Sequence, residues 1–145
     1  DHLLVIAAVA LWASRHAPAY RGRVSGLFLA TLLGGTVLAA TLGTSLNLES
    51  MVLSSVVLAG GLLLAGKRFG LMAALPLIAV FGGLHGYVHG QELAGHPAAF
   101  VAGMLLATAA IQGSVFALSH TLRTYWVKSA GAATALSGLL ALIGG

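Results

Sequence analysis

Two histidines and an acid lie close together in the stretch that runs from Phe81 to Glu92, and their spacing suits metal binding. His85 and His89 are four residues apart, so on a helix they share one face, and Glu92 follows three residues later on the same side. Imidazole nitrogens and carboxylate oxygens are ligands for borderline divalent cations. Because the whole chain has only three acidic residues and six histidines, this stretch is the strongest candidate for chemistry.

The rise of a helix limits what these three side chains can do together. At about 1.5 Å per residue, His85 and Glu92 are about 10 Å apart along an unbroken helix, whereas metal–ligand bonds are about 2 Å long. One ion therefore cannot be held by both residues unless the helix unwinds at Gly90. We predict either that unwinding or two neighbouring positions that share His89, with further ligands supplied by other helices.

The composition places these residues in a membrane. Of the 145 residues, 59% are hydrophobic and 7% are charged, whereas a soluble domain has about 25% charged residues. A chain of this length has room for about six helices of about 20 residues each. We therefore predict an all-α fold, with residues 1–145 forming one transmembrane domain, a polytopic bundle of about six transmembrane helices.

Six apolar segments are separated by short polar loops. The expected spans are residues 1–14, 24–42, 48–65, 69–89, 98–120 and 130–144. The chain opens on Asp1 and His2 without an initiator Met, so we expect processing or upstream sequence, and an incomplete first span. Since the chain has no Cys, it offers no disulfide, thiolate ligand or Cys nucleophile.

The basic residues alternate between loops. The first, third and fifth loops contain all seven of them, Arg15, Arg21, Arg23, Lys67, Arg68, Arg123 and Lys128. The positive-inside rule then predicts that both termini lie on the outer, periplasmic side. His2, Glu49 and the His85–Glu92 stretch would share that outer face. The scattered basic residues form no nucleic-acid-binding patch, so we expect the lipid bilayer, and not nucleic acid, as a partner.

Several other residues are candidates with simpler interpretations. Gly82, Gly86 and Gly90 recur every four positions, a spacing that lets helices approach closely. The residues that could line a path through the bundle are Phe28, Ser54, Ser55, Tyr87 and Gln112. Serines in membrane helices usually bond to a backbone carbonyl, however, and the aromatic residues are also explained by packing. We interpret His16, His96 and His120 as interfacial residues.

Three stretches of the chain resemble a known family. Asp1–Leu4 with Ala8–Ala13, Glu49 with Ser54–Gly60, and His85–Glu92 are similar to motifs of the hydrogenase/urease accessory nickel permeases, the HupE/UreJ family. Two details differ, because the family's His-Pro before the Asp-His pair lies outside this sequence and Glu92 is followed by Leu93 instead of proline. The metal-associated positions that the resemblance implies are Asp1, His2, Glu49, His85, His89 and Glu92.

The resemblance also implies a function. It implies a multi-pass protein of the bacterial inner membrane that takes up Ni²⁺, or Co²⁺, for metalloenzyme assembly, without an organic cofactor. A cytoplasmic nickel acceptor or metallochaperone would be its partner. Nickel over Zn²⁺ rests on the resemblance alone, because His and carboxylate ligands suit several divalent metals.

We therefore predict a transporter that is not an enzyme, and two alternatives stay open. One is an intramembrane metal-dependent hydrolase, with histidines holding zinc and Glu92 or Glu49 as general base. Against it, no further histidine-rich helix supplies a third ligand and no polar cluster suits an oxyanion. The other alternative is a structural membrane subunit with buried polar pairs.

Overall fold

The computed structural model describes residues 2–43, 46–93 and 96–144. Within these residues the chain forms six α-helices and no strand. They are α1 (His2–Ser14), α2 (Pro18–Leu42), α3 (Glu49–Ala65), α4 (Leu71–Gln91), α5 (Pro97–Leu118) and α6 (Thr124–Gly144). Short 3-10 turns extend α3 and α5, and with them the five helices α2 to α6 are long and apolar enough to cross a membrane. The predicted all-α membrane bundle is confirmed.

Two of the predicted helix starts are wrong. Helix α2 begins at Pro18 and α6 at Thr124, each six residues before the expected starts at residues 24 and 130. Pro18 is suited to a first helical turn, because its ring fixes φ and that turn needs no intrahelical N–H donor. Arg21 and Lys128 are good helix formers, so polar sequence here does not mean a loop.

The short helix α1 lies in the middle of the bundle and contacts all five other helices. Eight of its 13 residues are buried. The indole N–H of the fully buried Trp12 donates a hydrogen bond to the carbonyl of Gly66 at the end of α3, at 3.0 Å. A helix that is apolar on every side is stable only when it is enclosed. Because α1 is enclosed, its first residue, His2, lies against the neighbouring helices.

Helices α2 and α4 pack closely because glycines line their contact. A Cβ atom added to Gly86 would meet the carbonyl oxygen of Leu32, and one added to Gly82 or Gly90 would also meet the α2 backbone. The Thr36 hydroxyl, which lies in the same contact, is within hydrogen-bond distance of the carbonyls of Leu32 (2.9 Å) and Gly86 (3.0 Å). The predicted packing role of this glycine stripe is confirmed.

The basic residues gather at one end of the bundle. Arg15 at the end of α1 donates to the Thr124 hydroxyl at the start of α6, at 2.7 Å. The Arg21 guanidinium of α2 lies 5.9 Å from the Phe116 ring centroid near the end of α5. We call this end the basic end. The opposite end, where α1 begins and α4 ends, we call the histidine end.

Candidate functional site

His85 lies in the penultimate turn of α4 and is almost completely buried, with 1% of its surface exposed. Its Nδ1 is 2.8 Å from the carbonyl oxygen of Phe81, one turn earlier. Because a carbonyl can only accept, Nδ1 carries the proton and Nε2 carries a lone pair in the neutral ring. Within the described residues Nε2 has no hydrogen-bond partner. The contact with Phe81 therefore orients the ring and leaves the lone pair of Nε2 available.

Three imidazole rings from two helices meet at the histidine end. The His2 ring of α1 lies 4.5 Å from the His85 ring centroid, nearly perpendicular to it at 85°. It also lies 4.7 Å from the ring centroid of His89, at an angle of 47°. The i, i+4 spacing on α4 places His85 and His89 on one face, and the central α1 presents His2 to that face. We call these three residues the histidine cluster.

Glu92 lies beside the cluster, just beyond the end of α4. The helix continues through Gly90 to Gln91, so the predicted unwinding at Gly90 does not occur. Glu92 follows the last helical residue, and its carboxylate Oε2 lies 3.9 Å from Nδ1 of His89. The Glu92 side chain is 66% exposed and that of His89 is 27% exposed. The Glu92 carboxylate therefore lies at the exposed side of the histidine cluster.

The structure describes only one of the other two predicted acidic ligands. Asp1 lies outside the described residues. Glu49 is exposed in the first turn of α3, where its backbone N–H donates to Oδ1 of Asn47 at 3.2 Å. Within the described residues, no group of three or more His, Asp or Glu side chains is arranged to hold a metal ion. The three imidazoles are therefore close together, but their nitrogens do not converge on one point.

The predicted path residues are distributed over four helices, α2 to α5. Phe28 is fully buried in α2 and Tyr87 is buried in α4. The hydroxyls of Ser54 and Ser55 donate to backbone carbonyls earlier in α3, at 2.7 and 2.6 Å. This is the simpler interpretation that the sequence offered for the serines. Their role in a path stays a prediction.

A cavity of about 470 Å³ begins at the histidine cluster and follows α5. His2 and His89 line its start, and Thr108 and Ile111 lie along its far part. The Phe100 ring centroid is 6.0 Å from that of His89. No pattern in the sequence predicted that α5 lines this cavity, because α5 is apolar on most of its surface.

The chain was compared with known proteins. It matches the family described as HupE / UreJ protein over residues 1–142. It is 32% identical to "Protein HupE" of Rhizobium leguminosarum bv. viciae over 155 aligned residues, which cover 99% of this chain and 78% of that protein. No solved structure matches the chain. These matches confirm the resemblance seen in the motifs, and the chain belongs to the HupE/UreJ family.

Proposed function

We propose that this protein is a permease that takes up Ni²⁺, or Co²⁺, through the bacterial inner membrane for hydrogenase or urease assembly. Membership of the HupE/UreJ family supports this role. The five long apolar helices fit a multi-pass membrane protein. A cytoplasmic nickel acceptor or metallochaperone would receive the ion. Asp1 and Glu49 are proposed as further ligands, on the basis of the family motifs alone.

The observation that carries the proposal is the histidine cluster. A neutral imidazole binds a borderline divalent cation through the nitrogen without a proton, and at His85 the bond to Phe81 makes Nε2 that nitrogen. Rotation of the His2 and His89 side chains would turn their nitrogens toward His85 Nε2. The arriving ion would stabilise this convergence, because it replaces ring–ring contacts with coordination bonds.

Two neighbouring positions that share His89 would let the ion enter and leave. The outer position combines His89 with Glu92, whose exposed carboxylate attracts the cation from water. The inner position combines His85 with His2 and His89. Several weak positions favour conduction over trapping, because each step needs only part of the binding energy.

The proposal is tested by nickel uptake into liposomes that contain the purified protein. His89→Ala and His85→Ala are expected to lower nickel affinity and uptake by about tenfold or more, as losses of metal ligands or their partners commonly do. His120→Ala is the matched control, because His120 is exposed at the basic end and is expected to leave uptake unchanged. If His89→Ala changed neither nickel uptake nor nickel binding, the proposal would be wrong.

The same preparation separates transport from hydrolysis. Purified protein is incubated with amide and ester substrates, with and without a metal chelator. Chelator-sensitive cleavage, together with an absence of nickel uptake by the unmodified protein, would replace the permease proposal with the hydrolase interpretation.

A further inference from the structure

The buried face of α5 is polar, although the rest of the helix is apolar. Only two residues of α5 are fully buried, and they are Thr108 and Gln112. They are one turn apart on the face that also carries Met104, whose sulfur is 4.0 Å from the Thr36 hydroxyl of α2. Gln112 is about 18 Å along the helix from Phe100, within the apolar span Pro97–Thr121.

The Gln112 amide is buried without a hydrogen-bond partner among the residues that the structure describes. Its side chain is 1% exposed, and within the described residues neither Nε2 nor Oε1 accepts or donates a hydrogen bond. Buried amides in membrane proteins usually bond to a neighbouring helix. An amide that does not do so is costly at membrane depth, where lipid supplies no partner. Helix–helix bonding therefore does not explain why a glutamine occupies this position.

A second unpartnered polar group faces the same level from α2. Arg21 of α2 contacts Phe116 of α5 near the basic end. Helices α2 and α5 run in opposite directions. Ser25 is one turn after Arg21 in α2 and Gln112 is one turn before Phe116 in α5, so each lies one turn closer to the histidine end. The Ser25 hydroxyl is also buried, and the described residues supply it with no hydrogen-bond partner. By helix register, we expect the Ser25 hydroxyl and the Gln112 amide to lie at a similar depth.

This level is close to the cavity that starts at the histidine cluster. The cavity extends along α5 to Thr108 and Ile111, and Gln112 is the next residue along the helix. Thr108, at the far part of the cavity, is one turn from Gln112 on the same face of α5, so these two polar side chains lie on the side of the cavity toward the basic end. The exposed positions of α5 carry no comparable series of polar side chains.

We propose that Gln112, with Ser25 and Thr108, forms a second binding position for a partly hydrated divalent cation on its way from the histidine cluster to the basic end. This inference rests on the proposed permease function. The Gln112 carbonyl oxygen binds the cation or a water molecule of its hydration shell, and the two hydroxyls bind further water. Neutral oxygen ligands hold the ion weakly, so it passes on instead of being trapped.

The test compares equilibrium binding with transport in the Gln112→Met variant. Met is similar in length but cannot replace the amide. Nickel binding by the detergent-solubilised protein is expected to stay within about twofold of the unmodified value, while the uptake rate into liposomes falls by about tenfold or more. Ser114→Ala is the matched control, because Ser114 is an exposed α5 residue whose hydroxyl donates to Ala110. Both quantities are expected to stay unchanged in it.

The outcomes separate this inference from the function on which it rests. Unchanged uptake by Gln112→Met would overturn the second binding position and leave the permease proposal intact. A loss of equilibrium nickel binding in this variant would have the same two consequences. Absence of uptake by the unmodified protein overturns both. If Gln112→Met does not fold, Gln112→Glu decides, because a carboxylate should hold the cation more tightly and lower both KM and turnover. An unchanged KM and turnover in Gln112→Glu would overturn the inference.

Discussion

The three histidines of the cluster differ in how firmly each ring is held. His85 is buried, and its bond to the Phe81 carbonyl fixes both the ring orientation and the protonated nitrogen. In metal sites such a bond from the second ring nitrogen orients the ligand and raises its basicity. His89 is partly exposed beside Glu92. We infer that His85 is the fixed member, and that the others adjust to the ion.

Replacing Glu92 with Gln tests the proposed capture step. The carboxylate is mostly exposed, so its attraction for a cation is screened by salt. We expect KM for nickel to rise about two- to fivefold at low ionic strength, with unchanged turnover, because exposed charge pairs are worth up to about 1 kcal/mol. The measurement is uptake kinetics at low and high ionic strength. A rise in KM that did not depend on salt, or a loss of turnover, would contradict this steering role.

At the scale of the element, α4 serves two purposes on adjacent faces. Gly82, Gly86 and Gly90 contact the α2 backbone. His85 and His89 are on a face about 100° away, toward α1. Because the glycine contact fixes the distance between α4 and α2, it also fixes where the histidines stand relative to His2. The packing contact and the histidine cluster, which we propose binds metal, therefore depend on the position of the same helix.

Gly86→Ala is expected to destabilise the protein, and Gly83→Ala is its matched control in the same helix. A Cβ at Gly86 would meet the Leu32 carbonyl oxygen, whereas a Cβ at Gly83 would have open space within 4 Å. Overpacking should lower the free energy of unfolding by about 1–3 kcal/mol. Alanine at Gly83 should be neutral or stabilising by up to about 1 kcal/mol. Thermal unfolding in detergent provides the measurement, and equal stabilities of the two variants would contradict the packing argument.

The sequence could predict the helices and the pairing of His85 with His89, because both depend on local patterns of apolar runs and i, i+4 spacing. It could not predict which helices meet. When a helix such as α1 is apolar on all sides, no hydrophobic stripe marks the face that packs. The central place of α1, and with it the contact of His2 with both other histidines, follows only from tertiary packing. The burial of Gln112 follows from the same packing.

At the scale of the whole molecule, charge is separated between the two ends. Contacts such as Arg15 with Thr124 and Arg21 with Phe116 bring helix ends with basic residues together. The histidine cluster and Glu92 are at the other end. A cation that moves from the histidine end would leave a site rich in ligands and approach positive charge. Neutral polar groups between the two ends, such as Gln112, would make the change in the cation's interaction energy gradual.

The direction of uptake depends on which end faces outward, and cysteine labelling can test it. Because the chain has no Cys, a single introduced thiol reports one position. His96 is exposed before α5 at the histidine end, and Lys67 is exposed at the basic end. The variants His96→Cys and Lys67→Cys therefore report on the two ends. Since the positive-inside rule predicts the basic end in the cytoplasm, we expect an impermeant maleimide to label His96→Cys in intact spheroplasts.

Lys67→Cys should react with the same reagent only after the membrane is permeabilised, and the unmodified protein should not react at all. The reverse pattern would place the histidine cluster on the cytoplasmic side. Glu92 and His89 would then form a release site and could not capture nickel from outside, so uptake would have to begin at the basic end. Such a start would be unfavourable for a cation, because the seven Lys and Arg residues of the chain would repel it at the entrance.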